Sequence, residues 1–181
     1  MLKIIRENKA VLRFLLLFGG IYLVLALFYK LYLVYGVSDK YYPEILTYLV
    51  AEQSRGLIEV FGYATSSYPH PFATGIALDI HGETIVRVIE GCNGVSVIIL
   101  FSAFIFAFGT KAKPAIFFAL AGAAIIHVLN VVRIALLTIG IYEYPQYKVF
   151  LHDIVFPGII YGTVFLLWLL WVNRFVKSPK K

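Results

Sequence analysis

Charge is scarce in this chain. Only 14% of its 181 residues are charged, against 61% apolar and 17% aromatic, whereas a soluble domain carries roughly 25% charged and 45–50% apolar residues. Such a composition excludes an ordinary water-soluble fold and predicts a bilayer protein. Cysteine is scarcer still: Cys92 stands alone, which excludes an internal disulfide framework and any CxxC metal or redox motif. The four histidines contain no HxxxH or HExxH pair, so no metal site and no cofactor is expected. Glycosylation sequons, internal repeats and low-complexity tracts are all missing.

What is present is organised by hydropathy. Four apolar segments of about 20 residues, the length that crosses a hydrocarbon core, lie near 11–29, 93–110, 114–139 and 152–172. Lys3, Arg6, Lys9 and Arg13 precede the first, Lys111 and Lys113 join the second to the third, and Arg174, Lys177, Lys180 and Lys181 follow the fourth. All these groups fall on one side of a four-span topology, which the positive-inside rule makes the cytoplasm, with both termini inside. Every acidic residue except Glu7 then falls outside, in 30–91 or 142–153. Segregation of the sixteen basic residues argues for membrane orientation and against a nucleic-acid partner. The first apolar segment lacks a small-x-small cleavage site and reads as a retained anchor.

The expected fold is therefore an all-α integral membrane bundle of about four transmembrane helices, with an extracytoplasmic insertion at 30–91. Within it, 44–61 places Ile45, Leu49, Leu57, Val60 and Phe61 near one helical face, which predicts a helix on the membrane surface or against the bundle. The stretch "SSYPHP" is expected to break regular structure. The β-rich runs flanking "HGE" predict a hairpin over 74–90.

Polar groups inside apolar spans cost several kcal/mol and by default suggest function. The third segment carries His127, Asn130 and Arg133 at steps of three, a slanted stripe on one helix. Asn130 and Arg133 read either as functional groups or as polar glue between helices, and His127 as a packing or supporting histidine. Gly158 and Gly162 in the fourth segment permit close helix packing. His70 and His81 read as solvated loop residues. His152 opens the fourth segment as a candidate general base, beside Asp153 as a candidate helix cap.

Cys92 lies where a strand is expected to end and a span to begin. A helix N-terminus there would favour the thiolate. Gly91 and Gly94 would let the backbone turn and a substrate approach, and Asn93 would cap the helix or bond a substrate carbonyl. Taken alone, Cys92 could equally be an apolar filler. Its expected level matches that of Arg133 and His152, however, and a Cys/His pair with a cation for a developing oxyanion is the minimum for acyl transfer through a thioester. Glu90 would orient His152, pair with Arg133, or end its strand in water.

"EGCNG" around Cys92, "NVVR" with Asn130 and Arg133, and "HD" with His152, in that order and membrane placement, resemble the exosortase/archaeosortase family over 90–171. The resemblance implies a membrane cysteine transpeptidase with a Cys-Arg-His set facing away from the cytoplasm. It also implies secreted substrates whose C-terminal sorting signals combine a short motif, a transmembrane helix and a basic tail. Water as acceptor would give proteolysis, and an amine on a lipid or glycan would give anchoring. Typical members are longer and have more spans, and many carry serine where this chain has Asn93.

Overall fold

The computed structural model describes residues 9–108 and 111–176. The basic residues Lys3, Arg6, Lys177, Lys180 and Lys181, together with Glu7 and the end of the 93–110 segment, lie outside the described residues. Five helices and a small sheet make up the rest: α1 (Lys9–Tyr35), α2 (Ile45–Val60), β1 (Ser67–Pro69), β2 (Ile76–Ile80), β3 (Glu83–Val88), α3 (Val95–Ala107), α4 (Ala112–Glu143) and α5 (Pro145–Val176).

Only three of these helices, α1, α4 and α5, are long and apolar enough to cross a membrane, against the four expected. The exception is α3, with 13 residues. At 1.5 Å per residue it reaches about 20 Å, short of the ~30 Å core, because residues 90–94 are spent on the turn that leads into it. It packs among α1, α4 and α5. Phe101 and Ile105 of α3 meet Ile126 of α4 and Val164, Leu167 and Trp171 of α5 in one buried core. At Gly122 of α4 a Cβ would lie 2.3 Å from the Phe101 ring, so the α3–α4 approach requires glycine there. No residue of α1 is buried. It leans on α3 through Phe14 and Phe18 against Phe104, leaving an apolar outer face suited to lipid.

Gly158 and Gly162 do not serve packing inside the chain. A Cβ on either would meet nothing within 4 Å. The buried stripe of α5 is Phe156, Ile160, Val164, Leu167 and Trp171, which turns the glycines outward.

The cap on one end of the bundle is an antiparallel sheet in the order β1-β2-β3 covered by α2. The β2–β3 turn is His81-Gly82, both with positive φ (52° and 83°), as two-residue hairpins prefer. "SSYPHP" departs from expectation by containing β1, an edge strand whose last residue is Pro69, an allowed place for proline. Of the two placements open to the apolar face of α2, it is not turned against the bundle. Thr47, Val50, Ala51, Ser54 and Ile58 are buried, while Ile45, Leu49, Val60 and Phe61 are exposed. Small and hydroxylated residues let α2 lie close to α4, where the Ser54 hydroxyl meets the Val50 and Val131 carbonyls. The bulky apolar residues point away from the protein. Val50, Ile58, Leu78 and Val88 of the cap join Ile134 and Ala135 of α4 in a second core.

Candidate active site

The chain leaves β3 through a single 3₁₀ turn, Glu90–Cys92, closed by the Cys92 amide donating to the Ile89 carbonyl at 2.8 Å. Gly94 follows with φ 82°, and α3 starts at Val95. The left-handed step carries the turn from strand direction to helix axis, and only glycine adopts it cheaply. Cys92 is half-buried there, packed against the cap core.

Asn130 of α4 holds this turn from below. Only 2% exposed, it donates from Nδ2 to the Cys92 carbonyl at 2.7 Å and accepts from Arg133 Nη1 at 3.2 Å through Oδ1. Among the described residues, the buried Arg133 Nε has no hydrogen-bond partner. The two residues read above as either glue or chemistry thus link the guanidinium to the cysteine's own peptide.

Asn93, 1% exposed, stands one position before the N-cap of α3, which is Gly94. From there its Oδ1 accepts from the Val95 amide at 3.0 Å. Its Nδ2 is spent on Tyr29 Oη, Thr47 Oγ1 and Glu44 Oε1 at 2.8, 3.1 and 3.4 Å, leaving no donor for a substrate carbonyl. Glu44 is 2% exposed and accepts from the amides of Leu46 and Thr47, the Thr47 hydroxyl and Tyr32 Oη. This carboxylate joins α1, the start of α2 and the cysteine turn, and no cation pairs with it among the described residues. The sequence reading did not single out Tyr29, Tyr32, Glu44 or Thr47. The available signal was an acid directly ahead of the apolar run "ILTYLV", an N-cap position.

His152 lies in a π-helical turn, Leu151–Val155, near the start of α5. Such turns are frequent at functional sites. Its Nδ1 meets Asp153 Oδ1 at 2.6 Å, both side chains exposed. Asp153 makes no cap bond, contrary to expectation, because the helix is already under way at this point.

Cys92, Arg133 and His152 line one cavity of about 330 Å³ between β3, the cysteine turn, α4 and the start of α5. His70, in the loop after β1 and half-buried, shares its wall with Arg87 and Lys148. No hydrogen bond joins Cys92, Arg133 and His152 to one another among the described residues. Arg133 also borders a crevice of about 120 Å³ with Gly91, Gly94, Asn130 and Tyr161. Glu90 is exposed, and its carboxylate pairs with neither Arg133 nor His152. His127 sits elsewhere, on a groove between α2 and α4, with Nε2 2.8 Å from Gln53 Oε1.

No curated protein and no solved structure matches the chain. The family model described as transmembrane exosortase matches residues 10–172. That match spans the bundle, the cap and every residue lining the cavity, and the chain belongs to the transmembrane exosortase family.

Proposed function

We propose that this protein is a membrane-embedded cysteine transpeptidase or protease that cleaves C-terminal sorting signals of secreted proteins at the outer face of the cytoplasmic membrane. The observation that carries the reading is the shared cavity, which gathers a thiol, a guanidinium and an imidazole from residues 92, 133 and 152. Cys92 attacks the scissile carbonyl and His152 takes the thiol proton, then gives it to the leaving amine. Arg133 steadies the oxyanion; a buried Nε without a partner is a donor available for charge that develops only in the transition state. Asp153 orients the imidazole through Nδ1. Water as acceptor completes proteolysis, and an amine on a lipid or glycan completes anchoring.

The orientation rests on the basic flanks. The starts of α1 and α4 and the end of α5 carry Lys9, Arg13, Lys111, Lys113 and Arg174. Phe14 near the start of α1 packs on Phe108 at the end of α3, and Phe118 near the start of α4 packs on Phe175 at the end of α5, while the cavity lies beside the cap. Both termini inside and the site outside follow from the positive-inside rule.

The cationic cavity also suits a second reading, a transporter subunit or assembly factor that binds an anion without chemistry. Cys92→Ala and Arg133→Lys separate the two. In cells, both variants are expected to accumulate uncleaved secreted precursor at unchanged abundance of the protein. Normal processing with Cys92→Ala would sink the enzyme reading.

A further inference from the structure

The cavity has an unbalanced charge that acyl transfer alone does not use. Arg87, Arg133 and Lys148 line it with His70 and His152, and no carboxylate does. Asp153, adjacent in sequence, is engaged by His152. Among the described residues neither Arg87 nor Lys148 forms an ion pair. Arg87 gives one Nη1–H to the Thr74 carbonyl at 2.8 Å and keeps its other donors. Elsewhere on the cap the chain balances its cations: Arg55 lies between Glu52 and Glu59, at 3.1 and 2.5 Å, and Lys40 sits over the Tyr41 ring. Like charges around a space of about 330 Å³ repel unless a ligand supplies the counter-charge. The transient oxyanion requires Arg133 only, so Arg87 and Lys148 remain to be explained.

Resting on the reading of the cavity as the site of acyl transfer, we propose that Arg87 and Lys148 hold the phosphate of a phosphate-bearing membrane amphiphile that serves as the acyl acceptor. A planar carboxylate is matched by one guanidinium fork. The tetrahedral oxygens of a phosphate suit two cations approaching from different elements, here β3 and the start of α5. Ile134, Leu137 and Ile141 of α4 give the same cavity an apolar wall for the adjoining chain. Lys148 lies one helical turn before His152, so a bound phosphate would bring the rest of the headgroup near the imidazole. There the acceptor's amine or hydroxyl attacks the thioester carbonyl. The new C–N or C–O bond forms, the C–S bond breaks, and the acceptor's proton passes through His152 to the Cys92 sulfur.

The test is titration of the full chain, in a neutral detergent, with dihexanoylphosphatidylglycerol. Dihexanoylglycerol, inorganic phosphate and a peptide with two glutamates are the comparison probes. Saturable binding of the phospholipid is expected, at equal affinity in the parent protein and in Lys40→Gln, and at least tenfold weaker in the R87Q/K148Q double variant. Dihexanoylglycerol should not bind. Binding of the uncharged lipid, or an unchanged affinity in R87Q/K148Q, would overturn the proposal. Inorganic phosphate bound as tightly as the lipid would assign the site to free phosphate and overturn the amphiphile, and a double variant that loses only the acidic peptide would assign it to peptide instead. Because binding is read without turnover, a failure of the transpeptidase reading shows separately, as absent processing by the parent protein.

Discussion

Gly94→Ala perturbs the cysteine turn at the one point where backbone and side-chain demands coincide. At φ 82° an L-residue pays the left-handed penalty, about 1–2 kcal/mol. A Cβ there would also lie 3.1 Å from Asn130 Nδ2 and 3.2 Å from its Cγ, tighter than ordinary contact. Asn130 would have to withdraw by a few tenths of an ångström, stretching the 2.7 Å bond to the Cys92 carbonyl, which is worth about 1 kcal/mol. The expected cost is about 2–3 kcal/mol in total. Gly91→Ala is the control. Its Cβ would meet only Ile89 Cδ1 at 3.9 Å, and its φ is not in the left-handed range, so it should change stability by less than about 1 kcal/mol. Denaturant unfolding in detergent measures both, and the rate of maleimide addition to the lone cysteine reports the turn itself. Truncating Asn130 to Ala should relieve part of the Gly94→Ala penalty, giving a coupling of about 1 kcal/mol in a double-mutant cycle. Equal effects of the two glycine variants, or an intact maleimide rate in Gly94→Ala, would refute this account of the turn.

Three further outcomes are expected. Glu44→Gln keeps the N-cap oxygen but turns an amide toward donors from Tyr32, Thr47 and Asn93. It should cost about 1–3 kcal/mol of stability and alter Cys92 alkylation even though no atom of Glu44 borders the cavity, as unfolding and thiol-labelling measurements will show. Asp153→Asn weakens an exposed contact worth at most about 1 kcal/mol; steady-state kinetics should show kcat falling a few-fold with KM and folding unchanged. The Tyr63 phenol is held above its ordinary value of 10.0, chiefly by its hydrogen bond to Glu143 and also by that carboxylate's charge. Because the folded-state value is raised, its stabilising contribution is complete below the ordinary tyrosine range and is lost as pH climbs through the raised value. Tyr63→Phe should therefore remove one late-titrating phenol from the tyrosinate absorbance curve and lessen the alkaline loss of stability.

Hydropathy and local pattern by themselves determined that this is a helical membrane protein, since apolar runs and turn residues act within a few positions of each other. "EGCNG", "NVVR" and "HD" likewise made the family legible, because each motif is short and their order is preserved along the chain. Local pattern could not show that α3 falls short of a span, which depends on how much chain the turn at 90–94 consumes. Nor could it show that α2 buries Thr47, Ala51 and Ser54 rather than its bulkier face, since that choice is made by the closeness of α4. The two flanking glycines are equivalent in the sequence, whereas in the fold Asn130 lies against Gly94 and only Ile89 Cδ1, at 3.9 Å, near Gly91. Tertiary structure alone decided that Glu44 reaches Asn93 across 49 positions and that Arg87 and Lys148 join the cavity. Contacts between residues far apart in the chain arise only when the helices pack, and no periodicity in the sequence encodes which buried polar groups will meet.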